Sequence, residues 1–186
     1  MHVSVAPVRD KNGTITGGVE TFRDMTNEHK DFQRVKKIQS LALGHDLPED
    51  GPVRVRAHYV PCDLLGGDFY AVGRLDGTQI GFLIGDVTGH GVAAALYTMY
   101  LSSLWKRHAP LLVNPSAFAQ IVNRELCGLI KEEEPFAACV CGVVDVGKGE
   151  VRFTGAGNPP PLLVREGNGL EELHCSGLPW GLDEDM

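Results

Sequence analysis

At 186 residues, with 43% hydrophobic and 22% charged side chains, the chain has room for one medium domain and a short appendage. Its formal net charge of −7 argues against a broad nucleic-acid footprint, which needs clustered Lys and Arg. The same balance suits a carboxylate-rich site for a divalent cation. No charged-then-apolar leader opens the chain and no apolar run approaches membrane-spanning length, so a soluble, cytoplasmic segment is expected.

The first stretch predicts two strands. Val3, Val5 and Val8 carry an extended segment, Asp10-Lys11-Asn12-Gly13 supplies turn chemistry, and Ile15 to Phe22 continues as the second strand. Two strands alone are marginal in water, so the hairpin is expected to belong to a larger sheet or to pair with something else. From Thr26 a polar helix is predicted, capped by Thr26 or Asn27, with Glu28 placed well against the helix dipole. Phe32, Val35, Ile38 and Leu41 or Ala42 recur at helical spacing as one narrow apolar stripe. Such a stripe suits either a helix that pairs in parallel with its own copy or a plain packing helix. A break is expected near Gly44, before a Pro48 to Pro52 linker.

Beyond Val53 the pattern becomes strand-like. Val53, Val55, Ala57 and Tyr59 alternate with Arg54, Arg56 and His58, which predicts a strand over Val53 to Val60. Phe69 to Val72 and Ile80 to Ile84 follow, joined through an Asp76-Gly77 turn. Helices are predicted from Val92 to about Lys106 and from Pro115, capped by Asn114, to about Lys131. Ala137 to Val146 and Glu150 to Ala156 form a further hairpin, with strands again near Pro159 to Val164 and Leu170 to His174. Two helices inserted among hairpins indicate an α+β fold with antiparallel sheets.

The five cysteines have no zinc-ribbon or redox spacing, and Cys139 and Cys141 fall on one face of a strand. They read as small buried hydrophobes in a reducing compartment.

Chemistry concentrates in two short segments. Gly66-Gly67-Asp68-Phe69-Tyr70 turns into a strand, and Gly85-Asp86-Val87-Thr88-Gly89-His90-Gly91 leaves a strand for a helix. Each alone could be a tight turn that uses Asp as turn former. Together, two carboxylates at neighbouring strand ends could hold hard divalent cations through oxygen ligands.

Two resemblances add to this. Pro7, Val8, Asp10, Gly13, Ile15 and Gly17, followed by Arg23-Asp24-Met25-Thr26, resemble the closing hairpin and exit segment of a PAS sensor domain. Tyr59, Pro61, Gly66, Gly67, Asp68, Phe69 and Tyr70, then Ile84 to Gly91 with Ala94 and Ala95, resemble the bacterial PPM-type protein serine/threonine phosphatases of the SpoIIE/RsbU kind. Gly155-Ala156-Gly157-Asn158-Pro159-Pro160, then Gly177, Pro179, Trp180 and Gly181, and the upstream Ile38-Gln39 extend that similarity. Asn158 stands where the family usually has His.

The phosphatase resemblance implies a layered α-β-β-α sandwich of antiparallel sheets flanked by helices, incomplete at the C-terminus. Together with the PAS resemblance and the predicted helix, it divides the chain into a PAS-like hairpin over 1–27, a signalling helix and linker over 28–46, and a partial phosphatase domain over 47–186. It implies a two-metal Mn2+ or Mg2+ centre with Asp68, Asp86 and the Val87 carbonyl as ligands, Asp68 and Asp86 being the catalytic pair. Such a centre activates a water for direct attack on phosphorus. His90 either tunes the site or donates to a phosphate or leaving oxygen, or it caps the helix behind it. The family's later acidic motifs would follow Gly181, and Asp183 and Asp185 come too early to replace them. The implied substrate is a phosphorylated STAS-type anti-sigma-factor antagonist; the stripe adds homodimerisation through the 28–42 helix as an expectation, and charge and hydropathy point to no nucleic acid and no membrane in this segment. A non-catalytic docking module of the same fold is the second reading. A diguanylate cyclase, suggested by Gly-Gly-Asp-Phe, lacks its Glu.

Overall fold

The computed structural model describes residues 2–43, 47–48, 51, 53–61, 65–129, 135–167 and 169–185. Gly44, Cys62 and the stretch around Lys131 lie outside the described residues. Strands β1 (His2–Arg9) and β2 (Ile15–Arg23) pair antiparallel. Their turn is held by Asp10, whose carboxylate accepts from the Asn12 and Thr14 N–H groups at 2.8 and 2.9 Å. Every residue of both strands is exposed, and among the described residues the hairpin packs on no other helix or strand.

Helix α1 (Thr26–Ala42) follows, but neither Thr26 nor Asn27 caps it. Asp24 acts instead, accepting from the Thr26 N–H at 2.9 Å and the Thr26 hydroxyl at 2.5 Å. A carboxylate just ahead of a helix is a stronger acceptor than a hydroxyl and is favoured there by the dipole. The bond to the Thr26 hydroxyl, then that to its N–H, holds the Asp24 carboxyl below its usual range. The predicted stripe is only partly used. Val35, Gln39 and Ala42 turn toward the domain, while Ile38 and Leu41 remain 53% and 71% exposed.

The strand expected over Val53 to Val60 does not form: the described residues 53–61 pair with no other strand. Alternation reports which side of an extended chain faces protein, but a strand exists only where a second backbone completes the ladder. This segment instead passes beside the sheet, where Val55 to Val60 line one wall of a hollow opposite Tyr70, Val72 and Ile84.

The centre is a four-stranded antiparallel sheet in the order β3 (Asp68–Arg74), β4 (Gln79–Val87), β5 (Ala137–Asp145), β6 (Glu150–Ala156). Asp76 closes the first turn by accepting from the Thr78 and Gln79 N–H groups at 2.7 and 2.8 Å. A separate hairpin joins β7 (Leu162–Arg165) to β8 (Gly169–Glu172). Period-2 alternation puts Phe69, Ala71, Leu83, Val87, Cys139, Cys141 and Ala156 on one buried face of the sheet.

Helices α2 (Val92–His108) and α3 (Pro115–Cys127), joined through a short 3-10 helix at Ala109–Val113, cover that face. Asn114 caps α3 as expected, its side chain accepting from the Ala117 N–H at 3.3 Å. The helix ends at Cys127, short of the expected Lys131, with Gly128 at its C-cap. Leu101, Leu104, Leu112, Phe118, Val122 and Leu126 are fully buried here, each contributing about 1.5–3 kcal/mol by leaving water. Phe118 stacks edge-on between Trp105 and Trp180, with ring centroids 6.3 and 6.4 Å away.

Trp180 also continues the sheet, exchanging two 2.8 Å backbone hydrogen bonds with Ala137. Buried Asn123 anchors the next residues, accepting from the Gly181 N–H at 2.8 Å and donating to the Asp183 carbonyl at 2.7 Å. The Gly177 to Gly181 motif is therefore an edge of the fold. The architecture is α+β with antiparallel sheets, and among the described residues helices cover one sheet face; the other carries no helix, and on it Ile80 and Val140 are buried while Ile84 is 53% exposed.

Candidate active site

Asp68 opens β3 and Asp86 lies near the end of β4, directly opposite each other in the antiparallel register. Both are exposed and stand on the face that the helices do not cover. Directly opposed residues in such a pair have Cβ atoms about 4.5–5.5 Å apart, and like charges there repel. Partial burial raises the Asp86 pKa, and the neighbouring Asp68 charge raises it further. Tyr59 feels the same field: burial, then Asp68, pushes its phenol above the usual range.

The glycines beside these carboxylates serve close approach. A Cβ on Gly67 would lie 2.6 Å from the Val87 carbonyl oxygen. That contact brings the third sequence-predicted ligand atom to the same turn, where the Val87 N–H donates to the Gly67 carbonyl at 3.0 Å. A Cβ on Gly66 would collide with the Tyr59 hydroxyl. Past Val87, Thr88 fixes the strand end on Phe136. Its N–H donates to the Phe136 carbonyl at 2.9 Å, and its hydroxyl accepts from the Phe136 N–H at 3.0 Å. Gly89 and Gly91 then take φ of +91° and +79°, which lets the chain reverse into α2. No side chain caps α2, so His90 does not have that role.

Two hollows of about 390 and 460 Å3 flank Asp68, Phe69 and Tyr70. The first lies between α1 and the Tyr59 to Pro61 segment, the second between the sheet and residues 55–60. Asn158 lies beyond β6, and its amide nitrogen is buried without a hydrogen-bond partner among the described residues. Asp183 and Asp185 form a local turn, the Asp185 N–H donating to the Asp183 carboxylate at 3.0 Å.

Two acidic oxygen donors on neighbouring strands, with no ion-pair partner among the described residues, fit a small hard cation that keeps several of its own waters. Among the described residues no group of three or more His, Cys, Asp or Glu assembles around them. No local pattern announced that Thr88 and Phe136 brace this turn, nor that Gln39 does, its Nε2 donating to the Gly66 carbonyl at 2.8 Å. A polar Gln on the sole packed face of α1 was the available signal for the last.

The family model described as Stage II sporulation protein E (SpoIIE) matches residues 76–186, more than half of the chain. Two curated Bacillus subtilis (strain 168) proteins are similar. Phosphoserine phosphatase RsbP is 27% identical over 163 residues, covering 86% of this chain and 40% of its own length. Phosphoserine phosphatase RsbU is 23% identical over 168 residues, covering 89% and 50%. The chain thus spans half or less of these relatives. Among solved structures, the SiaA-PP2C domain of Pseudomonas aeruginosa superposes with a TM-score of 0.68 at 20% identity, over 85% of this chain and 65% of that one. The PP2C phosphatase domain of SpoIIE from Bacillus subtilis gives 0.56 at 20% identity, over 64% and 35%. These likenesses establish a PP2C-type fold.

Proposed function

The chain belongs to the stage II sporulation protein E family, and on that premise we propose that it hydrolyses phosphoserine or phosphothreonine on a regulatory protein, using Mn2+ or Mg2+. The observation that carries this reading is the direct cross-strand pairing of Asp68 with Asp86 on the sheet face that carries no helix. Two facing carboxylates repel, and Asp68 and Asp86 would relieve that repulsion by holding a divalent cation through their oxygens. Bound there, the metal would supply an activated water and neutralise charge developing on the phosphoryl oxygens.

The chain's own residues provide the frame. Asp68 and Asp86 offer hard oxygens, and the Val87 carbonyl adds a third. Gly67 lets β3 lie against Val87, and the Thr88 to Phe136 bonds stop the end of β4 from fraying.

The finer assignments form part of the same proposal. The substrate is a phosphorylated STAS-type anti-sigma-factor antagonist, consistent with relatives named phosphoserine phosphatases. The exposed Ile38 and Leu41 support pairing of α1 with a second copy. The isolated β1–β2 hairpin supports a PAS-like unit over 1–27, then the helix and linker over 28–46 and the phosphatase domain from 47. We place the protein in the cytoplasm, where its free thiols stay reduced. No helix among the described residues is long and apolar enough to cross a membrane.

A second reading, a non-catalytic docking module of the same fold, is favoured by the absence of a third grouped ligand among the described residues. Manganese-dependent release of phosphate from a phosphoserine peptide separates the two. The measurement uses this chain and any longer form of the protein. Hydrolysis that disappears in Asp68→Asn and Asp86→Asn supports the phosphatase. No hydrolysis by the longest form at saturating manganese leaves the docking module.

A further inference from the structure

The face of α1 that meets the domain is marked by Gln39, which donates to the Gly66 carbonyl at 2.8 Å and to the Thr98 hydroxyl oxygen at 2.9 Å. Lys36, Ser40 and Leu43 recur at helical spacing beside it, so they form the adjoining stripe. That stripe lines the hollow of about 390 Å3 from one side. Tyr59, Pro61 and Tyr70 line it from the other, and Asp68 borders it as well.

A mostly apolar hollow with a few polar groups, within the range of about 300–1,000 Å3, has the make-up of a ligand site. The Tyr59 and Tyr70 rings stand 6.3 Å apart at 51°, and Tyr59 is left 37% exposed. Such a tilted pair offers both edges and faces to a third ring. The charged groups that border the hollow are Lys36 and Asp68, of opposite sign, and neither has an ion-pair partner among the described residues.

Asp68 belongs both to this hollow and to the carboxylate pair with Asp86. A phosphoserine seated over the pair therefore carries its chain neighbours past the hollow, since three extended residues cover about 10 Å. A bare phosphate has no use for an aromatic lining; a peptide segment does. We infer that the hollow is a substrate subsite: it takes an aromatic or long aliphatic side chain within about three residues of the phosphoserine, while a carboxylate of the same segment meets Lys36. This rests on the phosphatase reading of Asp68 and Asp86 and adds to it the class of sequence recognised. Repulsion by Asp68 keeps the substrate carboxylate toward Lys36.

The test uses phosphoserine heptapeptides with a single Phe at each flanking position in turn, against a peptide with Ala at all of them. Phe at one or two adjacent positions should raise kcat/KM about tenfold, the scale on which apolar pockets discriminate, and should act through KM. The dephosphorylated peptides, titrated without metal by fluorescence anisotropy, should bind in the same order. Glu beside the preferred Phe should add about threefold at low salt, and Lys there should lose as much. In Lys36→Glu that charge preference should invert. Lys37→Glu, one residue along and outside the hollow, should keep the wild-type order. Ser40→Trp brings bulk into the hollow from an exposed position and should abolish the Phe preference. Each variant is read as a ratio between two peptides, so changes in metal binding cancel.

Equal kcat/KM wherever Phe stands overturns the inference, and that comparison needs only the wild type. A Glu preference that survives in Lys36→Glu also overturns it. So does inversion by Arg56→Glu but not by Lys36→Glu, because Arg56 borders the second hollow. Hydrolysis of p-nitrophenyl phosphate, which reaches only the carboxylate pair, keeps the two readings apart. A wild type that hydrolyses neither it nor the peptides refutes the phosphatase reading, and this inference falls with it. A wild type that hydrolyses it but takes all peptides alike refutes the inference alone.

Discussion

Replacing Gly67 with Ala is the sharpest probe of the turn that carries Asp68. The new Cβ would stand 2.6 Å from the Val87 carbonyl oxygen, a backbone atom that cannot swing aside. Ordinary contact requires about 0.8 Å more room, so the start of β3 must part from the end of β4. Overpacking of this kind costs about 1–3 kcal/mol. Parting also stretches the 3.0 Å bond from the Val87 N–H to the Gly67 carbonyl, worth about 1 kcal/mol more. The sum, about 2–4 kcal/mol, should lower the urea midpoint by about 1 M or more with an unchanged slope. The same shift separates Asp68 from Asp86, so manganese affinity should fall about tenfold or more. Gly77→Ala is the control, since a Cβ there meets nothing within 4 Å. A Gly67→Ala protein within about 0.5 kcal/mol of wild type, or a Gly77→Ala protein destabilised equally, refutes the close-packing argument.

Three further outcomes are expected. Asn123→Ala strips the Gly181 N–H and the Asp183 carbonyl of their partner, so chemical denaturation should show a loss of about 2–4 kcal/mol. Glu125 lies 2.7 Å from His108 and 2.8 Å from Arg107, and the His108 bond foremost depresses its pKa. Its folded value therefore lies below the unfolded one, about 4.3, and the stability it adds is complete above that pH and lost as pH falls through the folded value. A pH series of denaturation curves should find Glu125→Gln less stable than wild type at pH 7, with the gap closing under acid. Cys139 and Cys141 are fully buried, and burial, with Cys175 as a smaller cause, pushes the Cys141 thiol up to about 12. Both should resist iodoacetamide at pH 8 until denaturant is added, by mass spectrometry; rapid labelling of the native chain would contradict the packed sheet face.

Much of this molecule is legible along the chain, for local reasons. Asn114 sets the start of α3 because its side chain needs only the next turn. Cys139 and Cys141 share a buried face because strand geometry has period two. Asp68 and Asp86 stand out because glycines crowd around them, and glycine runs mark places where backbones approach closely. Three things depend on tertiary partners instead. Residues 53–61 alternate like a strand, yet whether they become one depends on a second backbone that no local pattern specifies. The α1 stripe was readable, but the face it docks was decided by Gly66 and Thr98, residues 27 and 59 positions away. And the sequence presents two aspartates 18 positions apart, whereas only the β3–β4 register makes them direct neighbours across one ladder. Composition and spacing determine which groups are present; pairing register and packing, set by long-range burial, decide which of them meet.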